Sequence, residues 1–258
     1  MKIATWNVNS LKVRLPQVLR WLEQHQPEAL CLQETKVEDA VFPRAAIEAA
    51  GYQVVYAGQR TYNGVAIISR PVATAVHCGM DGFADIQQRV ISATLPTPAG
   101  PLRLVCIYVP NGQEVGSEKY QYKLRWLAHA AAWLRGELAQ WPRLVLLGDF
   151  NIAPEDRDVH DPAAWRDQVL CSAEERAALR EIMAAGLVDI FRHFDQAEKS
   201  YSWWDYRMLA FRRNKGLRID LILTSAALTE RCTSCHIDKD ARRAERPSDH
   251  APVVVELT

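Results

Sequence analysis

Hydrophobic residues are concentrated in short runs along the chain, and polar or turn-forming residues separate these runs. Short apolar runs with such boundaries are typical of β-strands. We expect strands at 2–7, 29–34, 52–57, 64–69, 89–95, 102–109, 143–150, 201–206, 218–224 and 251–257. Apolar residues take a helical spacing instead in three segments, at 16–26, 117–140 and 172–186.

Residues that favour helix ends support two of the three helices. Pro16 begins the first segment, and proline is favoured in the first turn of a helix. Ser172 and Glu175 have the spacing of a capping box, and Gly186 stands where that helix should end.

The number and order of the strands predict the fold class. Segments 52–57 and 64–69 are close enough in sequence to pair as antiparallel neighbours. The strands are too many for one sheet of usual size. We therefore expect an α+β protein with two packed sheets and helices over their outer faces. No internal repeat or low-complexity linker divides the chain, which predicts one domain spanning 1–258.

Charge and hydropathy limit which binding partners, nucleic acid or membrane, the sequence favours. The 258 residues include 31 Lys and Arg and 31 Asp and Glu, so the formal net charge is zero. A nucleic-acid partner would therefore need a local basic patch. The N-terminal segment is too polar for a signal peptide, and no apolar run reaches membrane-spanning length. We expect a soluble, cytoplasmic protein with no membrane partner.

The six cysteines indicate buried thiols rather than a cofactor site. Cys31 and Cys106 stand inside apolar runs, where free thiols are commonly buried. The stretch "CTSCH" at 232–236 matches a c-type haem attachment motif, but the chain shows no export signal. A zinc site would need two further ligands at suitable spacing. We expect a strand that carries two thiols.

Polar residues at several strand ends indicate a functional site. In "LVLLGDFNIAP", Asp149 and Asn151 stand on either side of Phe150. Such a pair can bind a metal ion or close a turn, because Asp and Asn also bond to nearby backbone. Asp220 lies inside an apolar run, where an ionised carboxylate needs a cation, a histidine or a metal. If the strand ends converge, their oxygen ligands and one histidine suit Mg²⁺ or Mn²⁺, and an acid–histidine pair beside them favours phosphoryl chemistry.

Six motifs in order resemble one family: "TWNVNS", "LQETK", "YVPNG", "GDFNIAP", "GLRIDLIL" and "PSDHAPV". Their order and spacing are similar to those of the exonuclease III family of apurinic/apyrimidinic (AP) endonucleases, within the endonuclease/exonuclease/phosphatase superfamily. The resemblance covers nearly the whole chain. It implies a four-layered α/β sandwich, with two stacked mixed β-sheets flanked by helices.

The resemblance also implies roles for the polar residues. Glu34 is the expected principal ligand of Mg²⁺, for which Mn²⁺ can substitute. The full expected metal set is Asn7, Glu34, Asp149, Asn151, Asp249 and His250. The expected catalytic set is Tyr108, Asp149, Asn151, Asp220 and His250. In these sets Asp149 acts on the attacking water or binds metal, and Asp220 orients His250, which contacts phosphate together with Tyr108 and Asn151.

The segment 200–220 mixes basic and aromatic residues, as nucleic-acid interfaces do. The expected DNA contacts are Asn111, Trp203, Arg207, Arg213 and Lys215. Alternation along a strand allows only one of Trp203 and Trp204 to be core, and the resemblance places Trp203 at the lesion. Further basic residues are expected near DNA: Arg212 and Arg218 in this segment, and Lys119, Lys123 and Arg125 at the start of the long helix.

The implied activity is that of a magnesium-dependent DNA-repair nuclease. It would cleave phosphodiesters 5′ to abasic sites and act at 3′ ends as an exonuclease, phosphatase or phosphodiesterase. The implied partner is double-stranded DNA with abasic sites or 3′-terminal lesions, and we expect a monomer. One alternative keeps the fold but changes the substrate to a phosphoinositide, a lipid head group or RNA. A catalytically inactive DNA-binding module is less consistent, because no metal or histidine position is lost.

The segment after "GDFNIAP" lacks glycine up to Gly186. Some family members have a glycine just before the following helix. Bulky Val169 or Leu170 would narrow the passage for duplex DNA and favour 3′ ends over internal abasic sites. The alternative is that both side chains lie under the helix.

Overall fold

Twelve β-strands and six α-helices make up the structure, a computed structural model that describes residues 1–258. In the first half of the chain they are β1 (Lys2–Asn7), α1 (Leu11–His25), β2 (Ala29–Gln33), α2 (Arg44–Ala49), β3 (Gln53–Ala57), β4 (Val65–Ser69), β5 (Thr74–Cys78), β6 (Val90–Leu95), β7 (Leu102–Tyr108) and α3 (Glu118–Gln140). In the second half they are β8 (Leu144–Asp149), α4 (Ala173–Met183), β9 (Leu187–Asp189), α5 (Ile190–His193), β10 (Asp220–Ser225), α6 (Ala226–Thr229), β11 (Cys232–Ile237) and β12 (Val253–Leu257). Short 3₁₀ segments occupy 39–41, 156–158, 207–209 and 239–243.

The strands form two six-stranded mixed sheets. One has the order β11-β12-β1-β2-β4-β3, and the other has the order β5-β6-β7-β8-β10-β9. The pairs β1–β2 and β7–β8 are parallel, and the remaining pairs are antiparallel. This confirms the predicted α+β class and the two stacked sheets.

Three apolar layers hold the sandwich together. The inner faces of both sheets meet in a core that includes Ile3, Ile67, Leu104, Leu147 and Val255. On the outer faces, α1 and α2 pack on the first sheet, and α3 and α4 pack on the second. Both faces of the central strands are therefore covered, which explains why β8 reads as a continuous apolar run.

Two predicted elements differ from the structure, and two of the observed strands were not predicted. Segment 201–206 is not a strand, since only Trp203 forms isolated bridges, to Leu217 and His250. The edge strand β5 and the three-residue β9 were not predicted, because β5 is largely exposed and carries no apolar run. Helix α1 begins at Leu11 rather than at Pro16 because the N–H groups of Ser10 and Leu11 donate to the carbonyls of Glu34 and Thr35.

Local sequence signals correctly predicted the ends of α4 and the burial of four cysteines. Ser172 and Glu175 form the predicted capping box, and Gly186 follows the helix at φ +110°. Cys31 and Cys106 are buried and free, and β11 carries Cys232 and Cys235 as buried thiols. No helix is long and apolar enough to cross a membrane.

Candidate active site

The register of the sheets brings the polar strand ends together. Asp149 at the end of β8 pairs with Tyr108 of β7 on one side and with Asp220 of β10 on the other. Asn7 ends β1 in the facing sheet, and Glu34 follows the neighbouring strand β2. The side chain of Asn7 joins the two sheets, because its Nδ2 donates to Oε1 of Glu34 and to Oδ2 of Asp149, both at 2.8 Å.

Asp149 and Asn151 close a turn and face the site at the same time. Asn151 has φ +49°, and its backbone N–H donates to Oδ1 of Asp149 at 2.9 Å. Its side-chain Nδ2 donates to the carbonyl of Val109 at 3.0 Å, and Phe150 is fully buried between them. Oδ2 of Asp149 is directed to Asn7 and lies 3.8 Å from Nε2 of His250. The pair therefore closes a turn and still leaves Asp149 in a position where it could bind a metal ion.

Glu34, Asp149 and His250 form a possible metal site. One ligand atom from each lies within 4.8 Å of the others, and the set is rich in carboxylate oxygen. Such donors fit a hard divalent cation. Asp249 lies outside this group. Its Oδ1 accepts from Nδ2 of Asn9 at 2.9 Å, and its Oδ2 accepts from Nε1 of Trp203 at 3.0 Å.

His250 is held by a buried carboxylate. Its Nδ1 lies 2.9 Å from Oδ2 of Asp220, which also accepts from the hydroxyl of Ser202 at 2.6 Å. Burial lowers the pKa of His250, but the carboxylates of Asp220 and Asp149 outweigh it and raise that pKa to about 10. The imidazole is thus a cation at neutral pH, with Nδ1–H directed at Asp220.

Burial lowers the pKa of His250 but raises the pKa of Asp149 and of Tyr108. It raises the pKa of Asp149 to about 7, and the attraction of His250 only partly opposes it. Burial and the carboxylates of Glu34 and Asp149 raise the pKa of Tyr108 well above its ordinary value, so the phenol remains a neutral donor. A buried carboxyl with a pKa near neutrality is suited to accept a proton from water.

Two basic residues at the site carried no role in the sequence interpretation. Nζ of Lys36 lies 2.8 Å from Oε2 of Glu34 and 2.6 Å from Oδ1 of Asn9. The guanidinium of Arg89 stacks on the ring of Tyr108, 4.7 Å from its centroid. The spacing in "LQETK" was a signal for Lys36, because a base two residues after an acid can pair with it. Arg89 had no such local signal.

The predicted DNA contacts lie beside this group or on an adjoining loop. Asn111 donates from Nδ2 to Oδ1 of Asn151 at 3.2 Å. Trp203 is half-buried, whereas Trp204 is fully buried and packs edge-on against Phe211. Only one of the pair is therefore a core residue, as expected, although the segment is not a strand. Arg207, Arg212, Arg213 and Lys215 are exposed on the loop after Trp204.

Two basic residues predicted to face DNA are buried instead. Arg218 lies between two carboxylates, with Nε 2.7 Å from Oδ1 of Asp158 and Nη2 2.7 Å from Oδ2 of Asp189. Lys123 is fully buried beside Glu175. Both predictions are wrong because the carboxylate partners come from segments distant in sequence.

One alternative was that Leu170 narrows the passage for duplex DNA, but its side chain is buried and does not border the site. It is buried in a small apolar cluster with Ala153, Val159, Leu217 and Ile219. Val169 is only partly buried. The neighbours of Leu170 in this cluster come from the segment after β8 and the segment before β10 rather than from α4.

Comparisons with known proteins agree with this geometry. A profile of the endonuclease/exonuclease/phosphatase family matches residues 4–250. Exodeoxyribonuclease III of Haemophilus influenzae is 36% identical over 266 residues, covering 100% of both chains. A solved 3′ phosphatase from Neisseria, bound to product DNA hairpin, is 44% identical, with a TM-score of 0.97 over 100% of this chain and 99% of that chain. An AP endonuclease from Archaeoglobus fulgidus is 40% identical, with a TM-score of 0.95 over the same shares.

The chain therefore belongs to the endonuclease/exonuclease/phosphatase family. Within that family it is a DNA-repair nuclease of the exodeoxyribonuclease III and AP endonuclease type, as the ordered motifs implied. Nucleases of this type are metal-dependent, and Glu34, Asp149 and His250 provide a possible site for the ion.

Proposed function

We propose that this protein is a Mg²⁺-dependent hydrolase of DNA phosphoesters that cleaves 5′ to abasic sites and processes 3′ ends. The observation that supports this most directly is the convergence of Glu34, Asp149 and His250 within 4.8 Å at the ends of strands from both sheets. Mn²⁺ is expected to replace Mg²⁺, because both accept the same oxygen donors.

Glu34 would hold the metal ion, and Asn7, which donates to Glu34, lies beside it. A bound divalent cation supplies Lewis-acid stabilisation of charge on phosphate. His250 would contact the phosphate as a cation, and Asp220 stabilises its charge. Tyr108 adds a neutral phenol to the donors around the scissile group. Asn151 holds the adjoining loop through its contacts to Val109 and Asp149. Asp249 instead orients Trp203 and Asn9.

Asp149 would orient the attacking water and accept its proton. Its pKa of about 7 allows it to be ionised before attack and protonated afterwards. The developing negative charge on phosphorus-bound oxygen would then face the His250 cation, whose charge Asp220 stabilises from the opposite side.

Duplex DNA would lie across Trp203 and the exposed basic loop. Arg207, Arg213 and Lys215 give sequence-independent phosphate contacts, and the half-buried face of Trp203 can stack beside a displaced sugar or base. Asn111 lies next to Asn151 on the same side. The neighbour of 44% identity is described as bound to product DNA hairpin, which supports a DNA substrate here.

We propose both cleavage at internal abasic sites and processing of 3′ ends, because two similar solved structures carry different activities in their descriptions. The Neisseria protein is described as a 3′ phosphatase, and the Archaeoglobus protein is described as an AP endonuclease. Their identities to this chain are similar, at 44% and 40%.

A parallel assay tests the proposal. The purified protein is incubated with an internal abasic duplex, a nicked duplex ending in 3′ phosphate, a phosphorylated inositol and a single-stranded RNA, each with Mg²⁺, Mn²⁺ or EDTA. Cleavage of the DNA substrates only, abolished by EDTA and restored by either ion, is expected. Preferred hydrolysis of inositol phosphate or RNA would support the alternative substrate class, and metal-independent DNA binding without turnover would support a binding module. Monomeric state and cytoplasmic location stay predictions, and size-exclusion chromatography tests the first.

A further inference from the structure

A buried ion pair lies directly behind the site. Lys123 of α3 and Glu175 of α4 are both 0% exposed, and Nζ of Lys123 is 2.5 Å from Oε1 of Glu175. Both helices belong to the layer that covers the second sheet. Removing two charges from water costs several kcal/mol per ion, on the order of what a close pair recovers, so such a pair is weak evidence for a purely stabilising role.

The partners of Lys123 connect this pair to the site. Its ammonium donates to the backbone carbonyls of Asn151 at 2.6 Å and Asn111 at 3.1 Å, in addition to Glu175. An ammonium has three N–H donors, and these three acceptors account for all of them. The two carbonyls belong to the residues whose amide side chains meet at 3.2 Å beside Asp149.

The backbone at Asn151 needs such support. Its φ of +49° is in the left-handed region, which costs free energy for a residue with a side chain. The N–H of Asn151 is directed to Asp149, and its carbonyl is directed to Lys123. Loss of the ammonium would leave two buried carbonyls without that donor and would release this peptide from one side.

Glu175 extends the same framework to the segment before α4. Its carboxylate accepts from the N–H groups of Leu170 and Ser172 at 3.0 and 3.1 Å and from the Ser172 hydroxyl at 2.7 Å. The carbonyl of Leu170 accepts from the N–H of Ala153 at 2.8 Å. Two loops of the site and the segment before α4 are thus joined through one buried pair.

We propose that Lys123 is a positioning residue, which sets the peptide of Asn151 and the amide contact between Asn151 and Asn111 for phosphoester hydrolysis. This rests on the proposed function. Lys123 touches no substrate, so its loss should lower kcat far more than it raises KM or weakens DNA affinity.

The informative variant removes both charges. In Lys123→Met/Glu175→Gln the glutamine keeps an acceptor for the capping box, and no unpaired charge is left buried. We expect a Tm close to that of wild type and a kcat about 100-fold lower, as for a small misplacement of a reacting group. Glu175→Gln alone keeps the lysine and its two carbonyl contacts, so kcat should stay within about 3-fold of wild type.

A matched pair at the opposite end of the second sheet provides the control. Nε of Arg103 lies 2.9 Å from Oε2 of Glu137, and Nη1 donates to the carbonyl of Ala75 at 2.7 Å. Arg103→Met/Glu137→Gln should affect Tm without affecting kcat. A kcat loss as large in this control as in the Lys123 double variant would overturn the positioning role.

Amide hydrogen exchange in segments 109–113 and 149–153 gives a readout that does not depend on turnover. We expect faster exchange in both segments for the Lys123 double variant and unchanged exchange for the Arg103 control. Unchanged exchange in the Lys123 double variant would overturn the proposal. If wild type cleaves no DNA substrate, the proposed function fails, and this exchange comparison decides the positioning of the loops separately.

Discussion

The imidazole Nδ1 of His250 lies 2.9 Å from Oδ2 of Asp220, and both side chains are buried where the ends of β8 and β10 meet. Asp220 comes from the second sheet, whereas His250 precedes β12 of the first sheet. The charge of the imidazole is therefore set across the interface between the two sheets.

Asp220→Asn should lower the pKa of His250 from about 10, because the carboxylate that most strongly opposes the effect of burial is removed. The folded pKa lies above the ordinary ~6.5, so the cation persists through neutral pH and is lost as pH rises through the folded value. In the variant this loss moves to lower pH. NMR titration of the metal-free protein measures it. Asp249→Asn, which alters a weaker influence on His250, should cause a smaller fall, and an unchanged titration in Asp220→Asn would contradict the pairing.

Asp149→Asn should abolish hydrolysis and preserve the fold. Asparagine keeps the size of the side chain at this buried position but cannot accept a proton from water. The loss of transition-state stabilisation should be at least ~2–4 kcal/mol, the scale of one group that acts on developing charge. Single-turnover rates on the preferred DNA substrate and circular dichroism measure the two effects. Near-full activity of the variant would remove Asp149 from the mechanism.

Glu34→Gln should raise the Mg²⁺ concentration needed for half-maximal activity, because a neutral amide is a weaker ligand for a hard cation. The substitution also removes the partner of Lys36, whose ammonium lies 2.8 Å from Oε2. Metal titration of the cleavage rate is the measurement. Glu38→Gln, at an exposed position four residues along, is the control and should leave the titration unchanged. An unchanged titration in Glu34→Gln would argue against this ligand.

Arg213→Ala and Lys215→Ala should each weaken DNA binding at low salt and reduce the slope of log affinity against log salt by about 1, as expected for loss of one phosphate contact. Both side chains are exposed on the loop after Trp204. Fluorescence anisotropy at several salt concentrations provides the slope. Arg135→Ala removes an equally charged, exposed residue on the outer face of α3. The same change of slope in Arg135→Ala would show that the loop has no special role.

Asp158 should contribute to stability in a pH-dependent way. Burial alone would raise its pKa, but Arg218 and Arg192 outweigh burial and lower it from the ordinary value. A lowered folded pKa means that the contribution is complete above the unfolded value of ~3.9 and is lost as pH falls through the folded value. Chemical denaturation of wild type and Asp158→Asn at pH 7 and in acid tests this. The acid-dependent loss of unfolding free energy should be smaller in the variant, and exposed Asp156→Asn should behave like wild type.

Arg218→Met should be among the most destabilising substitutions in the chain. It leaves Asp158 and Asp189 buried without their shared cation, and breaking such a pair typically costs about 3–5 kcal/mol. Chemical denaturation measures the change. A loss below about 1 kcal/mol would show that the two carboxylates are adequately solvated or paired without Arg218.

The sequence by itself determined the elements whose burial is complete or whose signals are local. A strand such as β8 is covered on both faces, so its apolar run is continuous and easily recognised. The capping box at Ser172 likewise depends on near neighbours only. Asp220 could be assigned to a site because a carboxylate within an apolar run requires a partner.

Only the tertiary structure decided the partners of the charged residues. Lys123 lies between Tyr122 and Leu124, and Arg218 lies between Leu217 and Ile219. Nothing local shows that Glu175, Asp158 and Asp189 enclose them. Segment 201–206 has the composition of a strand, yet Trp203 and Trp204 are held by isolated contacts to Leu217 and to the loop of Asp249. The physical reason is the same in each case: local patterning reports how much of a side chain is buried, whereas the identity of a charge's partner depends on which distant segments the fold brings within a few ångströms.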